Sequence, residues 1–127
     1  MRKLDLGKNT IWIMDSISYI KDIHQGCIII SASHGGLSSA RYALAHPPLL
    51  SVFNDAGIGK DKAGIAALAS LEDKGLASIA VSANSARIGD GEDTWENAII
   101  SELNPAAIKM GFNKDEQLKT NILKIFG

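Results

Sequence analysis

His34 stands in the stretch Cys27–Arg41, CIIISASHGGLSSAR, just after an apolar run and just before two glycines. An imidazole titrates near neutral pH, so a histidine at such a junction can act as a general acid or base. Gly35 and Gly36 let the backbone turn sharply and aim N–H groups at a ligand near the start of a helix. Ser33 occupies the position of a nucleophile on a strand–turn–helix elbow. Its surroundings, Ser31-x-Ser33-x-Gly35, lack the first glycine of the hydrolase signature G-x-S-x-G. The only downstream histidine is His46, at an expected helix end. Ser31 and Ser33 therefore read first as hydrogen-bonding groups, with Ser33 as a candidate nucleophile.

A second polar stretch, Asn54-Asp55-Ala56-Gly57-Ile58-Gly59-Lys60-Asp61, also follows an apolar run. Asn54 and Asp55 come first and could orient His34 or a substrate, with Asp55 as a catalytic candidate. Two phosphate-binding motifs fail here. A P-loop needs glycine where Asn54 stands and Ser or Thr where Asp61 stands; a dinucleotide fingerprint needs glycine where Lys62 stands. What survives is a loop opening a helix. Its amides around Gly57 and Gly59 could hold an anion, and Lys60 could add charge or be a solvated surface lysine.

The third stretch, Ser82-Ala83-Asn84-Ser85-Ala86-Arg87, offers Asn84 and Ser85 as polar contacts. Arg87 suits bidentate capture of a carboxylate or phosphate, or an ion pair with Asp90, Glu92 or Asp93. Trp95 reads as a packed aromatic or a lid. No metal and no cofactor are predicted. The three histidines lie at different levels, no Cys pair or His-x-x-x-His spacing exists, and nothing in the spacing of Asp15, Asp55 and Asp90 demands a cation.

These loops need elements to carry them. Strands are expected at Thr10–Met14, Cys27–Ser31, Leu49–Phe53 and Leu76–Ser82. The second has four apolar residues in succession without alternation, so both of its faces should be covered. Helices are expected from Ile17 to His24, from a Ser38 or Ser39 cap to Pro47, and from Asp61 to Lys74. A further helix should start at Asp93–Glu96, turn Ile99, Ile100 and Leu103 inward and stop at Asn104-Pro105. A short helix to Met110 and a last one opened by Asn113 and Glu116 complete the reading. Strands alternating with helices call for right-handed crossovers. The expected fold is a three-layer α/β/α sandwich over residues 1–127, one domain, with a small, mainly parallel sheet of four to five strands. That layout resembles the Rossmann-like and flavodoxin-like group, an architecture that hosts many functions. Ligands of such sheets bind outside the carboxyl ends of the strands, where all the polar loops fall.

The chain has 127 residues, enough for a core without a metal or disulfide staple. A formal charge of −1, from 13 basic and 14 acidic residues, leaves no footprint for nucleic acid or an anionic membrane. The lone Cys27 and the absence of any apolar run long enough for a signal or a span point to a reducing, cytoplasmic setting. A narrow sheet would favour a homo-oligomer that covers an edge.

The functional expectation is a small-molecule-binding protein, an enzyme of hydrolase or lyase type acting on a small anionic metabolite. The alternatives are a non-catalytic ligand-binding or regulatory domain, and an assembly subunit.

Overall fold

The computed structural model describes residues 1–127 and opens on a hairpin. Strand β1 (Arg2–Leu6) turns at Gly7, φ +60°, and returns as β2 (Asn9–Met14). β1 was not expected. Its charged residues face solvent, and only Leu4 and Leu6 pack against the core. An edge strand carrying Lys3 and Asp5 is what a sheet needs to discourage further pairing.

β3 (Ile28–His34), β4 (Leu50–Asn54) and β5 (Ala77–Val81) then add to β2 in parallel. Ile28, Ile29 and Ile30 are all fully buried, as expected for a strand covered on both faces. Each such side chain contributes roughly 1.5–3 kcal/mol of burial. β6 (Ile100–Leu103) closes the other edge antiparallel to β5.

The α/β class stands, but the four-to-five-strand, mainly parallel sheet is corrected to a mixed sheet of six strands. The expected helix through Leu103 ends at Asn97, and Ile100–Leu103 pair with Val81–Ile79 instead. Ile99, Ile100 and Leu103 fit a helical face as well as a strand. Ile99 and Ile100 are β-branched and stiff at χ1, and β5 offers a free ladder, so pairing wins. The next residue, Asn104, holds the edge: its side-chain oxygen accepts from Ser78 N–H and Ala107 N–H, both at 3.0 Å.

The strand order is β1-β2-β3-β4-β5-β6, with no reversal. This departs from the Rossmann-like and flavodoxin-like orders, whose reversal creates a ligand crevice. Right-handed crossovers that always step the same way must lie on one face. Helix α1 (Leu37–Ala45), helix α2 (Ala66–Glu72) and the β2–β3 connection accordingly pack with Ile29, Phe53 and Ala80. Helices α3 (Gly91–Asn97), α4 (Pro105–Met110) and α5 (Leu118–Phe126) cover the other face, with Trp95, Ala107 and Ile122 against Ile13, Ile30 and Val52. With β1 and β6 flanking the parallel strands, covering their edges does not call for a second subunit.

The β2–β3 connection contains no α-helix, contrary to expectation. It makes two 3-10 turns, Ile17–Tyr19 and Asp22–His24, each ended by an extended residue. Isoleucines at 17, 20 and 23 are poor helix formers, and Ile17 N–H is already taken by Ser33 Oγ at 2.9 Å. Asn113 and Glu116 touch each other at 3.3 Å but cap nothing; α5 begins after Gln117. Arg2 grips Glu92 through two hydrogen bonds, 2.8 and 2.9 Å, tying β1 to α3. This bond holds the Glu92 carboxyl below its ordinary range, so its stabilising effect is present above that range and fades as acid titrates it. No helix is long and apolar enough to cross a membrane.

Candidate functional site

The carboxyl ends of β3, β4 and β5 meet through backbone and side-chain bonds. His34 and Asn54 are paired in register. Asn54 Nδ2 donates to Ala86 O at 2.9 Å, and Asp55 Oδ1 accepts from Ala83 N–H at 3.1 Å. Gly89 N–H donates back to Ala32 O at 2.9 Å. His34, Asn54, Asp55 and the loop carrying Arg87 therefore share one rim.

A cleft of about 560 Å³ opens on this rim between the β3–α1 and β4–α2 loops. His34 and Asp61 are its only titratable lining residues. Leu37, Ala56, Ile58, Ala63 and Ala66 supply apolar walls, and Gly36, Gly59 and Gly64 leave it open. The His34 ring is exposed and hydrogen-bonds to nothing in the chain. It lies over Gly36, where an added Cβ would come within 2.9 Å of Nδ1. A side chain at 36 would displace the imidazole.

The two loops are joined backbone to backbone. Gly35 N–H donates to Asn54 O at 2.9 Å, and Gly35 O accepts from Ala67 N–H at 2.8 Å. A Cβ on Gly35 would sit 2.7 Å from Gly64 O. Gly64 is tighter still, because a Cβ there would overlap the carbonyl of Asp55. We expect Gly64→Ala to cost roughly 2–3 kcal/mol through overpacking, read as a lower urea midpoint at constant m.

The loop itself is held in an uncommon shape. Ala56, Ile58, Asp61 and Lys62 have φ of +52°, +70°, +56° and +58°, four of the five non-glycine residues in the chain with positive φ. For a β-branched residue such as Ile58 this is a true outlier, and each position costs of order 1–3 kcal/mol. Neighbouring hydrogen bonds enforce it. Asn54 Oδ1 accepts from Ala56 N–H, and Asp55 Oδ1 from Gly57 N–H, both at 2.8 Å. Asp55 Oδ2 takes the Ser101 hydroxyl at 2.7 Å. The amides of Lys60 and Asp61 are left without an acceptor in the chain.

The expected helix from Asp61 is thus a strained 3-10 turn, Lys60–Ile65, running into α2. Asp61 caps nothing. Nor do Ser38 or Ser39 cap α1, whose first turn has no side-chain acceptor. Ser39 Oγ instead donates to His34 O at 2.6 Å and pins the backbone that carries the imidazole.

Of the residues singled out in the sequence, His34, Gly36 and Gly59 line the cleft, with Gly35 behind it. Asn54 and Asp55 lie buried beneath the loop with their polar atoms engaged. Ser31 is fully buried and donates to Val52 O, and Ser33 faces the β2 side, accepting from Ile17 N–H. Gly57 and Lys60 are exposed on the loop but outside the cleft lining. Asn84 is exposed and Ser85 binds Ser82 and Ile99 N–H, neither at the cleft.

Arg87 is also outside the lining. Its backbone N–H, not its guanidinium, holds Asp93 at 2.9 Å. The Asn97 amide and that N–H together lower the Asp93 pKa. Asp15 and Asp90 serve separate amides, Gly91 N–H and Asp93 N–H. Sequence reasoning missed Leu37, Ala56, Ile58, Asp61, Ala63, Gly64 and Ala66 as lining. For Ala56, Ile58, Asp61, Ala63 and Gly64 the only signal was the block NDAGIGKDKAG; Leu37 and Ala66 lie outside it.

Fold and site together define an α/β protein with an open, half-apolar cleft at the carboxyl edge of its parallel strands. Compared with known proteins, the chain matches no family model, no curated protein and no solved structure.

Proposed function

We propose that this protein is an enzyme of hydrolase or lyase type, acting on a small anionic metabolite with an apolar body, with His34 as acid/base. One observation carries the reading. An exposed imidazole, free of internal partners and seated over a glycine that makes room for it, faces a cleft large enough for a metabolite. The uncapped first turn of α1 and the free amide of Asp61 would receive the negative charge. Leu37, Ile58 and the alanines would hold the apolar part. Asn54 and Asp55 act from beneath, by keeping the loop in its left-handed form.

A second reading is a binding domain without turnover. It is favoured by the lack of any side chain orienting the His34 ring, a partner that acid/base dyads usually have.

A thermal-shift screen against small carboxylates and phosphates tests the ligand class. A specific anion should raise the midpoint with concentration, by about 2.7 kcal/mol of stabilisation at a hundredfold excess over Kd. It should also perturb the His34 ring resonances. A set in which only neutral or cationic compounds stabilise the protein would overturn the anionic assignment. Binding that leaves the His34 resonances unmoved would overturn the cleft.

A further inference from the structure

His24 lies at the opposite end of the strands from the His34 cleft and is 2% exposed. Its Nδ1 accepts from the Lys21 amide at 2.8 Å, which places the ring proton on Nε2. That Nε2 is buried without a partner. The ring stands edge-to-face with Trp12, centroids 4.7 Å apart. The same corner ties two more elements together: Gly26 N–H donates to Pro47 O, and Cys27 N–H to His24 O.

We infer that the segment Lys21–Gly26 is an acid-opened latch, closed onto the sheet only while the His24 imidazole is neutral. A proton added at Nδ1 would set an N–H against the Lys21 N–H, removing one of the two reciprocal bonds that close the turn and leaving only His24 N–H to Lys21 O at 2.9 Å. The Nε2 N–H would gain charge in a place with no acceptor. The charged surroundings do not compensate. Lys21 lies on the same segment, Lys3 of β1 reaches over Trp12 at 5.8 Å, and His46 ends α1. The one nearby carboxylate, Asp22, sits 2.9 Å from His46 Nδ1, off the line of a hydrogen bond. The free Cys27 lies at the foot of β3.

Burial, then Lys21 and His46, push the His24 pKa below the ordinary 6.5. Between that lowered value and 6.5 the open chain binds more protons than the closed one. Closure is therefore complete above this window and is lost as pH falls through it.

The test follows the His24 ring and the Lys21 amide of the intact protein by NMR from about pH 7.5 to about pH 5. We expect His24 to titrate below 6.5. Across that titration the hydrogen-exchange protection of the Lys21 amide should fall about tenfold or more, while that of Ile29 in β3 holds. His24→Gln offers the Lys21 amide an acceptor that takes no proton, and should abolish the pH dependence. The inference is overturned if Lys21 protection stays constant while His24 titrates, since the cation would then be resting in place against Trp12. It is equally overturned if the fall persists in His24→Gln. Should that variant fail to fold, the wild-type titration decides alone.

Discussion

Replacing His34 by glutamine is expected to lower kcat by about 10²–10⁴-fold on whichever anion the cleft turns over, the usual contribution of a general acid or base. Glutamine keeps the polarity and much of the reach of the imidazole but cannot carry a proton. The variant should fold normally. The ring is exposed and unbonded, so its loss should change stability by within about 0.5 kcal/mol. Separating kcat from KM decides the role. A fall in kcat with KM unchanged supports proton transfer, whereas a rise in KM alone would make His34 a binding group. Turnover within threefold of wild type would remove the catalytic reading. Gly36→Ala should reproduce part of the loss from the other side, because its Cβ would meet the ring at 2.9 Å.

Asp55→Ala should be the most damaging change at the buried end of the site. The carboxylate is 5% exposed and accepts from Gly57 N–H, Ala83 N–H and Ser101 Oγ. Alanine would orphan the amides of Gly57 and Ala83, while the Ser101 hydroxyl keeps Ala80 O at 3.2 Å as an acceptor, at a cost of roughly 2–5 kcal/mol. The loss has a second part. Asp55 helps to enforce the positive φ at Ala56 and Ile58, and without it the 56–62 loop should relax and the cleft lose its wall. Asp55→Asn separates the two parts. Its amide oxygen can still accept from both N–H groups, and Ser101 can rotate to accept from the amide nitrogen. About 1 kcal/mol of destabilisation is expected, with ligand binding kept. Equilibrium urea unfolding measures the stability, and the thermal shift with bound anion measures the cleft. If the asparagine variant folds like wild type but loses turnover as His34→Gln does, Asp55 takes part in the chemistry and the positioning role falls.

The parts of this protein that could be read from its residues are those governed by neighbours in the chain. Four apolar runs marked β2 to β5, because a run without alternation has only one comfortable place, inside a covered sheet. The gathering of His34, Asn54, Asp55 and Arg87 at one rim follows from parallel strands alone. Every such strand delivers its trailing loop to the same side. Asn104-Pro105 marked the start of α4 correctly, and Gly111, φ +110°, its end.

Other features required the packed molecule. Ile100–Leu103 fits a helix or a strand equally well until β5 presents an open ladder. β1 has too few apolar residues to announce itself and exists because β2 needed a partner. The strand order leaves no trace in local periodicity, so the absence of a reversal could not be foreseen. The cleft depends on this most of all. Nothing in the types of Ala56, Ile58, Asp61 and Lys62 calls for positive φ. Their conformation is imposed by Asn54 and Asp55 below and by the contact of Gly35 with Gly64. Polar type alone marked Asp55 as a reactant, while tertiary structure occupied its oxygens and left His34 facing the open space. Composition and order along the chain determined which chemistry could reach the rim. Three-dimensional packing decided which of those groups stayed free to act, since a hydrogen bond already made is no longer available to a ligand.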